Sequence, residues 1–188
     1  MDKGTRDPHS AIGLLRAFLN TREIAEDTDL ISSPEGLRQW LRDLDLPGQD
    51  EFPMPGDVEW IVAIREALRD VLSGHSGDSV SWESVALLNR AARRSPLVLH
   101  FDDSATPSVV NSESGVVGAM GRIWNAIADA KADGTWDRLK SCRRPDCRWA
   151  FFDRSKNRSA TWCSTAGCGA LMKSRAYRRR RRAQRDGW

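Results

Sequence analysis

The chain has 188 residues, of which 40% are hydrophobic and 29% are charged. This length and composition allow one moderate domain with its own core and a small appended module. The chain has no apolar run of about 20 residues, and Met1–Leu30 has no stretch typical of a signal peptide, so we expect a soluble cytoplasmic protein without a membrane span.

The charge is distributed unevenly along the chain. Leu139–Trp188 contains 15 lysines and arginines against three acidic residues, a net charge of +12, whereas residues 1–138 carry a net charge of −9. Such asymmetry indicates a polyanionic partner for the basic end. The acidic part would face away from that partner and contact proteins or small molecules instead.

Five amphipathic helices are predicted in the acidic part, because apolar side chains recur there at spacings of three and four and most of the segments begin at a capping residue. The predicted helices are Pro8–Glu26, Ser33–Leu46, Asp57–Ser73, Trp82–Arg94 and Ser114–Ala132. Four tryptophans lie in these helical stripes, and we interpret them as core residues, with a tryptophan-lined pocket as the alternative: Trp40, Trp60, Trp82 and Trp124.

A short β-hairpin is predicted between the fourth and fifth helices. Leu97–Phe101 is rich in strand-forming residues, and Pro107–Asn111 can pair with it across the polar turn Asp102–Thr106. The predicted fold is therefore mainly α. A helical domain with this small hairpin spans residues 1–134, and a cysteine-containing module spans residues 135–188, with the boundary at Asp133-Gly134.

All four cysteines lie in the C-terminal module, in a pattern of C-x4-C, fifteen intervening residues and C-x4-C: Cys142, Cys147, Cys163 and Cys168. Two short loops that each present two sulfurs suit a closed tetrahedral site of four thiolates. Two disulfides or four free thiols are the alternatives, and they are less favoured in an intracellular protein. Iron also accepts four thiolates, but nothing else in the sequence resembles redox machinery, so we interpret the site as structural zinc.

Aromatic residues around the cysteines are expected to form a miniature core beside the metal, since a module this small needs one. Trp149 and Phe151 alternate along a strand-like run, Arg148–Phe152, and Trp162 precedes Cys163. Asp153 is expected to bond neighbouring backbone N–H groups. Ala170–Gln184 is predicted to be a helix. Cys168 is expected to anchor its N-terminus on the zinc, and Leu171, Met172 and Ala176 to form an apolar face that packs back on the finger.

The module resembles the CGNR-type zinc finger of bacterial proteins in which this finger follows a helical N-terminal domain called ABATE, a family of stress-induced transcription regulators. The finger resemblance rests on residues at fixed offsets, namely Cys142, Cys147, Phe151, Asp153, Ser155, Asn157, Trp162-Cys163-Ser164, Cys168-Gly169, Lys173 and Tyr177, and on the arginines that follow. Phe18-Leu19-Asn20-Thr21 is similar to the F-V-N-T segment of the N-terminal domain. The resemblance implies a treble-clef-like finger in a DNA-binding regulator.

The chain departs from the family pattern at one point. Ala170-Leu171 stand where the name of the motif requires Asn-Arg after Cys-Gly. If those two side chains contact nucleic acid in the family, this chain has lost that contact or moved it to Lys173 and Arg175.

Arginines dominate the predicted C-terminal helix, and five of them are consecutive, so the helix is basic on every side and suits phosphates more than base edges. The candidate nucleic-acid contacts lie on this helix and in the finger loops: Arg143, Arg144, Arg154, Arg158, Lys173, Arg175, Tyr177, Arg178, Arg179, Arg180, Arg181 and Arg182.

Two classes of function follow from these features. In the first, the finger and its helix bind duplex DNA in a transcription regulator, while the acidic domain senses a small-molecule ligand, contacts a protein or forms a homodimer. In the second, the finger is an adaptor for RNA or protein, for example on ribosomes or RNA polymerase. We expect no enzyme, because His9, His75 and His100 are scattered and no nucleophile or open metal site is recognisable. Oxidation of the thiolates, with release of zinc, is a further hypothesis.

Overall fold

The computed structural model describes residues 10–185, in which a helical domain precedes a finger and a long C-terminal helix. The helical domain contains five helices, a two-residue strand pair and a hairpin. In chain order these elements are α1 (Ala11–Leu19), β1 (Arg22–Glu23), β2 (Thr28–Asp29), α2 (Pro34–Asp43), α3 (Pro55–Gly74), α4 (Trp82–Arg94), β3 (Leu97–Phe101), β4 (Pro107–Asn111) and α5 (Gly115–Ala132). The finger contributes β5 (Leu139–Ser141) and β6 (Ala150–Phe152), and α6 (Ala170–Arg185) follows. No helix in this range is both long and apolar enough to cross a membrane.

Four of the five predicted helices of this domain are confirmed, with ends that follow local capping chemistry. Ser33 caps α2 and Ser81 caps α4 through their hydroxyl oxygens, which accept backbone N–H groups of the first turn. Helix α3 begins two residues earlier than predicted, because Pro55 occupies its first position and Asp57 accepts the Met54 N–H at 2.9 Å.

The prediction for the first helix is wrong at its C-terminal end, and the predicted start at Asp7-Pro8 lies outside the described residues. Helix α1 is capped by Ser10 and stops at Leu19. Beyond it, β1 and β2 pair around a 3₁₀ turn in which Asp27 has a positive φ of 52°. Contacts with helix α3 determine where α1 ends. Arg65 of α3 binds both carboxylate oxygens of Asp29, at 2.7 and 2.8 Å, and so holds the β1–β2 pair against α3. Tertiary contacts here override helix propensity.

The core of the helical domain lies between α1, α2, α3 and α5. Its fully buried side chains include Leu15, Phe18, Leu41, Ile61 and Ile123. Helix α4 is peripheral and fully buries only Ala91.

The tryptophans divide accordingly between core and surface. Trp40 is buried and contacts the ring of Phe18, while Trp60 and Trp124 pack on the edge of the core. Trp82 is 74% exposed, so its predicted place in the core is wrong. It is the first residue of α4, and that helix turns only a narrow stripe inward.

The predicted hairpin is confirmed residue for residue. Strands β3 and β4 are antiparallel, and Leu97 pairs with Asn111, Leu99 with Val109 and Phe101 with Pro107. Asp102 organises the turn, since its carboxylate accepts the N–H groups of Ser104 and Thr106.

The finger shares the core of the helical domain. Leu139 of β5 and Ala150 of β6 are completely buried in the same apolar cluster as α1 and α3. Asn20 at the end of α1 accepts the Ala150 N–H at 2.8 Å and donates to the Ala150 carbonyl at 3.0 Å. Arg69 of α3 donates to the Arg148 carbonyl at 2.9 Å. The two modules that the sequence predicts therefore pack as one unit in the described residues.

Candidate metal centre and basic helix

The four cysteines meet in one cluster, and their sulfur atoms lie within 4.8 Å of one another. The Sγ atoms of Cys147 and Cys163 are 3.8 Å apart, and those of Cys163 and Cys168 are 3.6 Å apart. A tetrahedral zinc site with Zn–S bonds of about 2.3 Å requires sulfur separations of about 3.8 Å. The donor set and its spacing therefore fit a four-thiolate zinc ion.

The first pair of cysteines lies on a tight turn that follows β5. The Cys142 N–H donates to the Trp149 carbonyl at 3.0 Å, and the Cys147 N–H donates to the Arg144 carbonyl at 2.9 Å. Arg148 then takes a positive φ of 48°, so the regular strand begins only at Ala150, later than the predicted strand-like run. These bonds bring both sulfurs to one side of the β5–β6 hairpin.

The second pair lies on a π-helical turn, Thr165–Gly169, that leads directly into α6. The Ser164 hydroxyl accepts the Gly167 N–H at 3.0 Å, and the Ser164 carbonyl accepts the Gly169 N–H at 2.9 Å. Cys168 is buried inside this turn, so the sulfur cluster sets the point from which the basic helix starts.

The cysteine thiols shift one another's pKa, and an arginine lies beside one of the sulfurs. Hydrogen bonds from Cys147 and Cys163 lower the pKa of Cys142 to about 3, whereas hydrogen bonds with Cys142 and Cys147 raise the pKa of Cys163. The Arg144 guanidinium lies 3.5 Å from the Cys168 sulfur. A divalent cation would allow all four groups to be thiolates, because four thiolates and Zn²⁺ together leave about −2.

The predicted miniature core is present beside the sulfurs. Phe151 is buried with Cys142 and Cys168, and Trp149 and Trp162 pack against them. Gly169 lets the Trp162 ring pack closely on the backbone, since an added Cβ would lie 3.1 Å from Trp162 Cδ1, a tight contact. The aromatic rings thus supply the apolar contacts of the sulfur cluster.

Asp153 has the local bonding role that its position predicts, together with a partner that the sequence did not reveal. It accepts the N–H groups of Ser155 and Ala160 and, at 2.8 Å, the ammonium of buried Lys140. Burial alone raises the pKa of Asp153, but the bonds from Lys140 and Ser155 outweigh it and lower that pKa to about 2. Lys140 also donates to the Arg158 carbonyl at 2.5 Å, so this ion pair joins the two halves of the finger.

Family models cover nearly all of the described chain. Residues 14–135 match the ABATE model, whose description is "Putative stress-induced transcription regulator". The chain belongs to the ABATE family. Residues 138–181 match the CGNR zinc finger. With the sulfur geometry, this match identifies a structural zinc site with the four cysteines as its candidate ligands. No curated protein matches the chain.

The ABATE motif Phe18-Leu19-Asn20-Thr21 proves to be the junction between the domain and the finger. Asn20 binds Ala150 as described above, and the Thr21 hydroxyl donates to the Phe18 carbonyl at 2.8 Å and accepts from buried Arg65 at 3.0 Å. Sequence reasoning found the motif but not this role, since its partners lie 44 and 130 positions away.

At the degenerate CGNR positions, the two replacing side chains differ in exposure. Ala170 is exposed at the start of α6, whereas Leu171, Met172 and Ala176 are half-buried. They are the half-buried side chains within residues 171–184, which agrees with the position of the predicted apolar face. The substitution of Asn-Arg removes polar groups from the first turn without disturbing the sulfur cluster.

The candidate nucleic-acid residues separate into a finger set and a helix set. Arg143 pairs with Asp78 of the helical domain at 2.8 Å, and Arg144 binds Asp146 and the Cys168 sulfur. Arg154 and Arg158 are exposed in the loop after β6. The helix set is also exposed, and it consists of Lys173, Arg175, Tyr177, Arg178, Arg179, Arg180, Arg181 and Arg182.

A cavity of about 270 Å³ opens between the β1 segment and the sulfur cluster. Glu23 and Glu26 lie on one wall, and Trp149, Cys147 and Cys163 lie on the other. Cys147 and Cys163 are half-buried, whereas Cys142 and Cys168 are buried. Cys168 also lines the cavity, so the cavity is a route from solvent to the sulfurs of Cys147, Cys163 and Cys168.

Proposed function

We propose that this protein is a DNA-binding transcription regulator in which the zinc finger orients α6 toward the phosphates of duplex DNA. The observation that carries this proposal is the all-round exposure of the basic residues on α6. From Tyr177 to Gln184 every side chain is exposed, and Arg178–Arg182 surround the helix. In the first two turns of α6, Leu171, Met172 and Ala176 are half-buried.

An arginine helix of this kind matches the shape of a DNA groove. A helix with side chains is about 10–12 Å across, close to the roughly 12 Å width of the major groove. Phosphates line both walls of that groove, so arginines on opposite sides of one helix each have a partner. Such contacts give affinity and salt dependence, while Lys173, Arg175 and Tyr177 are the candidates for base contacts.

The acidic remainder of the chain supports this orientation. Residues 1–138 carry a net charge of −9 and would be repelled by DNA. Because the domain holds the finger through Asn20 and Arg69, the acidic surface and the basic helix keep a defined relation to each other. We propose that the domain senses a small molecule or a protein, or pairs two copies of the chain, and that the protein is cytoplasmic and nucleoid-associated.

The proposal does not include catalysis. His75 is engaged structurally, with Nδ1 2.7 Å from the Leu139 carbonyl and its ring edge-on to Trp136. His100 lies on the exposed hairpin, and His9 lies outside the described residues.

Binding of the zinc-loaded full chain to a duplex, measured by fluorescence anisotropy over a range of salt, tests the proposal. With about six phosphates contacted, affinity should fall about 10³-fold between 50 and 200 mM salt. Removing two arginines in Arg179→Ala/Arg182→Ala should reduce the slope of log affinity against log salt by about two. An affinity that stays constant over this range refutes DNA binding through α6.

A matched pair elsewhere on the surface supplies the control. Arg90 of α4 and Arg122 of α5 are exposed on the acidic domain, so Arg90→Ala/Arg122→Ala should leave the slope unchanged.

Competition by folded and single-stranded RNA distinguishes the DNA-binding proposal from the hypothesis of an RNA adaptor. Because Tyr177 is the one aromatic residue on α6, unpaired bases have little to stack on, and we expect duplex DNA to compete best.

A further inference from the structure

The β3–β4 hairpin exposes an apolar patch, made of Leu99, Phe101, Pro107 and Val109. These residues lie on one face, because Leu99 pairs with Val109 and Phe101 with Pro107. Leu99 is 63% exposed, Phe101 57% and Val109 48%. At the base of the hairpin, Asn111 packs on Gly121 of α5, but the patch extends beyond that support. A two-stranded hairpin with an uncovered apolar face is marginal by itself.

The outer edge of β3 also has unpaired backbone groups. The Asp102 N–H donates to the Thr106 carbonyl, which sets the alternation of hydrogen-bonded and non-hydrogen-bonded pairs along the hairpin. Pro107, which has no N–H, accordingly faces Phe101 in a non-hydrogen-bonded pair. The N–H and C=O groups of Leu97, Leu99 and Phe101 therefore point away from β4. Within residues 10–185, β3 pairs with β4 and with no other strand.

We propose that a second copy of this chain pairs with the free edge of β3, antiparallel and with the two-fold axis at Leu99. In that register Leu99 exchanges both hydrogen bonds with its equivalent, and Leu97 lies opposite Phe101 of the second copy. The result is a four-stranded sheet in which the two apolar patches join on one face. The pairing is isologous and closed, so it stops at a dimer.

The hairpin strands are a part of the acidic domain at which two copies can approach without repulsion between like charges. Two domains of net charge −9 repel each other over most of their surface, but Leu97–Phe101 and Pro107–Asn111 contain no acidic or basic residue apart from His100. In the same register Asp102 of each copy lies opposite Pro96 of the other copy, two residues after the end of α4. Arg93 in the last turn of α4 is exposed and is the candidate partner for the acidic turn Asp102-Asp103, whereas Arg94 lies over the Trp60 ring.

Light scattering after size exclusion, on the full zinc-loaded chain at low and high concentration, tests the pairing. We expect a dimer, and Leu99→Lys should raise its dissociation constant at least about tenfold. His100→Lys introduces the same charge at the next position on the opposite face and should leave the dimer intact. A wild-type chain that is monomeric at every concentration, or equal weakening by both variants, overturns the proposal and assigns the patch to a different partner.

Crosslinking tests the register itself. Leu99→Cys should form an intermolecular disulfide with its equivalent, because residues in such a pair have Cα atoms about 5.5 Å apart, within the disulfide range. His100→Cys should not, because it faces Val98 of the second copy.

This inference adds to the proposed pairing role of the helical domain and is separable from DNA binding. Leu99→Lys should keep the salt slope of each monomer, and loss of DNA binding by an intact dimer would count against the proposed function alone.

Discussion

The hydrogen bonds between Asn20 and Ala150 give a direct test of whether the helical domain and the finger fold as one unit. The Asn20 amide both donates to and accepts from the Ala150 backbone, as a neighbouring strand would. Ala150 is completely buried, so water does not readily replace either bond. Replacing Asn20 therefore removes contacts made across 130 positions of sequence.

The expected cost follows from the two backbone groups left without partners. Each buried unsatisfied group costs about 1–3 kcal/mol, so the loss of two bonds in Asn20→Ala should lower the free energy of unfolding by roughly 2–6 kcal/mol. For a chain of this size that corresponds to a fall in Tm of roughly 5–20 °C. Asn20→Asp should also destabilise the protein, because a carboxylate can accept the Ala150 N–H but cannot donate to the Ala150 carbonyl.

Urea unfolding of the zinc-loaded protein, followed by tryptophan fluorescence, measures this cost. Asn89→Ala on the exposed side of α4 is the control and should change the free energy of unfolding by less than about 0.5 kcal/mol. Hydrogen exchange at the Ala150 amide should accelerate in Asn20→Ala. If Asn20→Ala and Asn89→Ala unfold at the same urea concentration, the two modules are not coupled through this contact.

Three further perturbations test the finger. Cys163→Ser should lower the zinc content below one ion per chain, measured by mass spectrometry, because the remaining three sulfurs do not close the tetrahedron. Asp153→Asn should destabilise the protein by about 3–5 kcal/mol, because it leaves the Lys140 ammonium buried without its counter-charge. Lys156→Met on the exposed loop should have little effect in the same urea assay. Similar losses of stability for both variants would contradict a buried ion pair. Peroxide should take two electrons from two thiolates, yielding a disulfide and hydroxide and releasing zinc. Peptide mapping should find this disulfide among the three cysteines that line the cavity, where the Cys163 sulfur lies 3.8 Å from that of Cys147 and 3.6 Å from that of Cys168. Unchanged zinc content would refute the redox hypothesis.

Local patterns in the sequence were sufficient for most of the elements and for the metal ligands. Helices α2, α3, α4 and α5 follow from apolar spacing and caps, and the β3–β4 register follows from strand formers on either side of a polar turn. The equal C-x4-C spacings predicted the sulfur cluster because each pair is closed by a turn of a few residues. These features depend on neighbours in the chain, so they can be read from the sequence.

Only the tertiary structure decided where α1 ends, which charged groups are buried and how the finger meets the helical domain. Arg65 holds Asp29 across 36 positions, and Lys140 meets Asp153 across the finger hairpin. Leu139 and Ala150 belong to the finger segment of the sequence, but their side chains are buried in the core of the helical domain. Contacts between distant residues leave no periodic signal in the sequence, and burial of a charge is decided by the partner that packing brings to it.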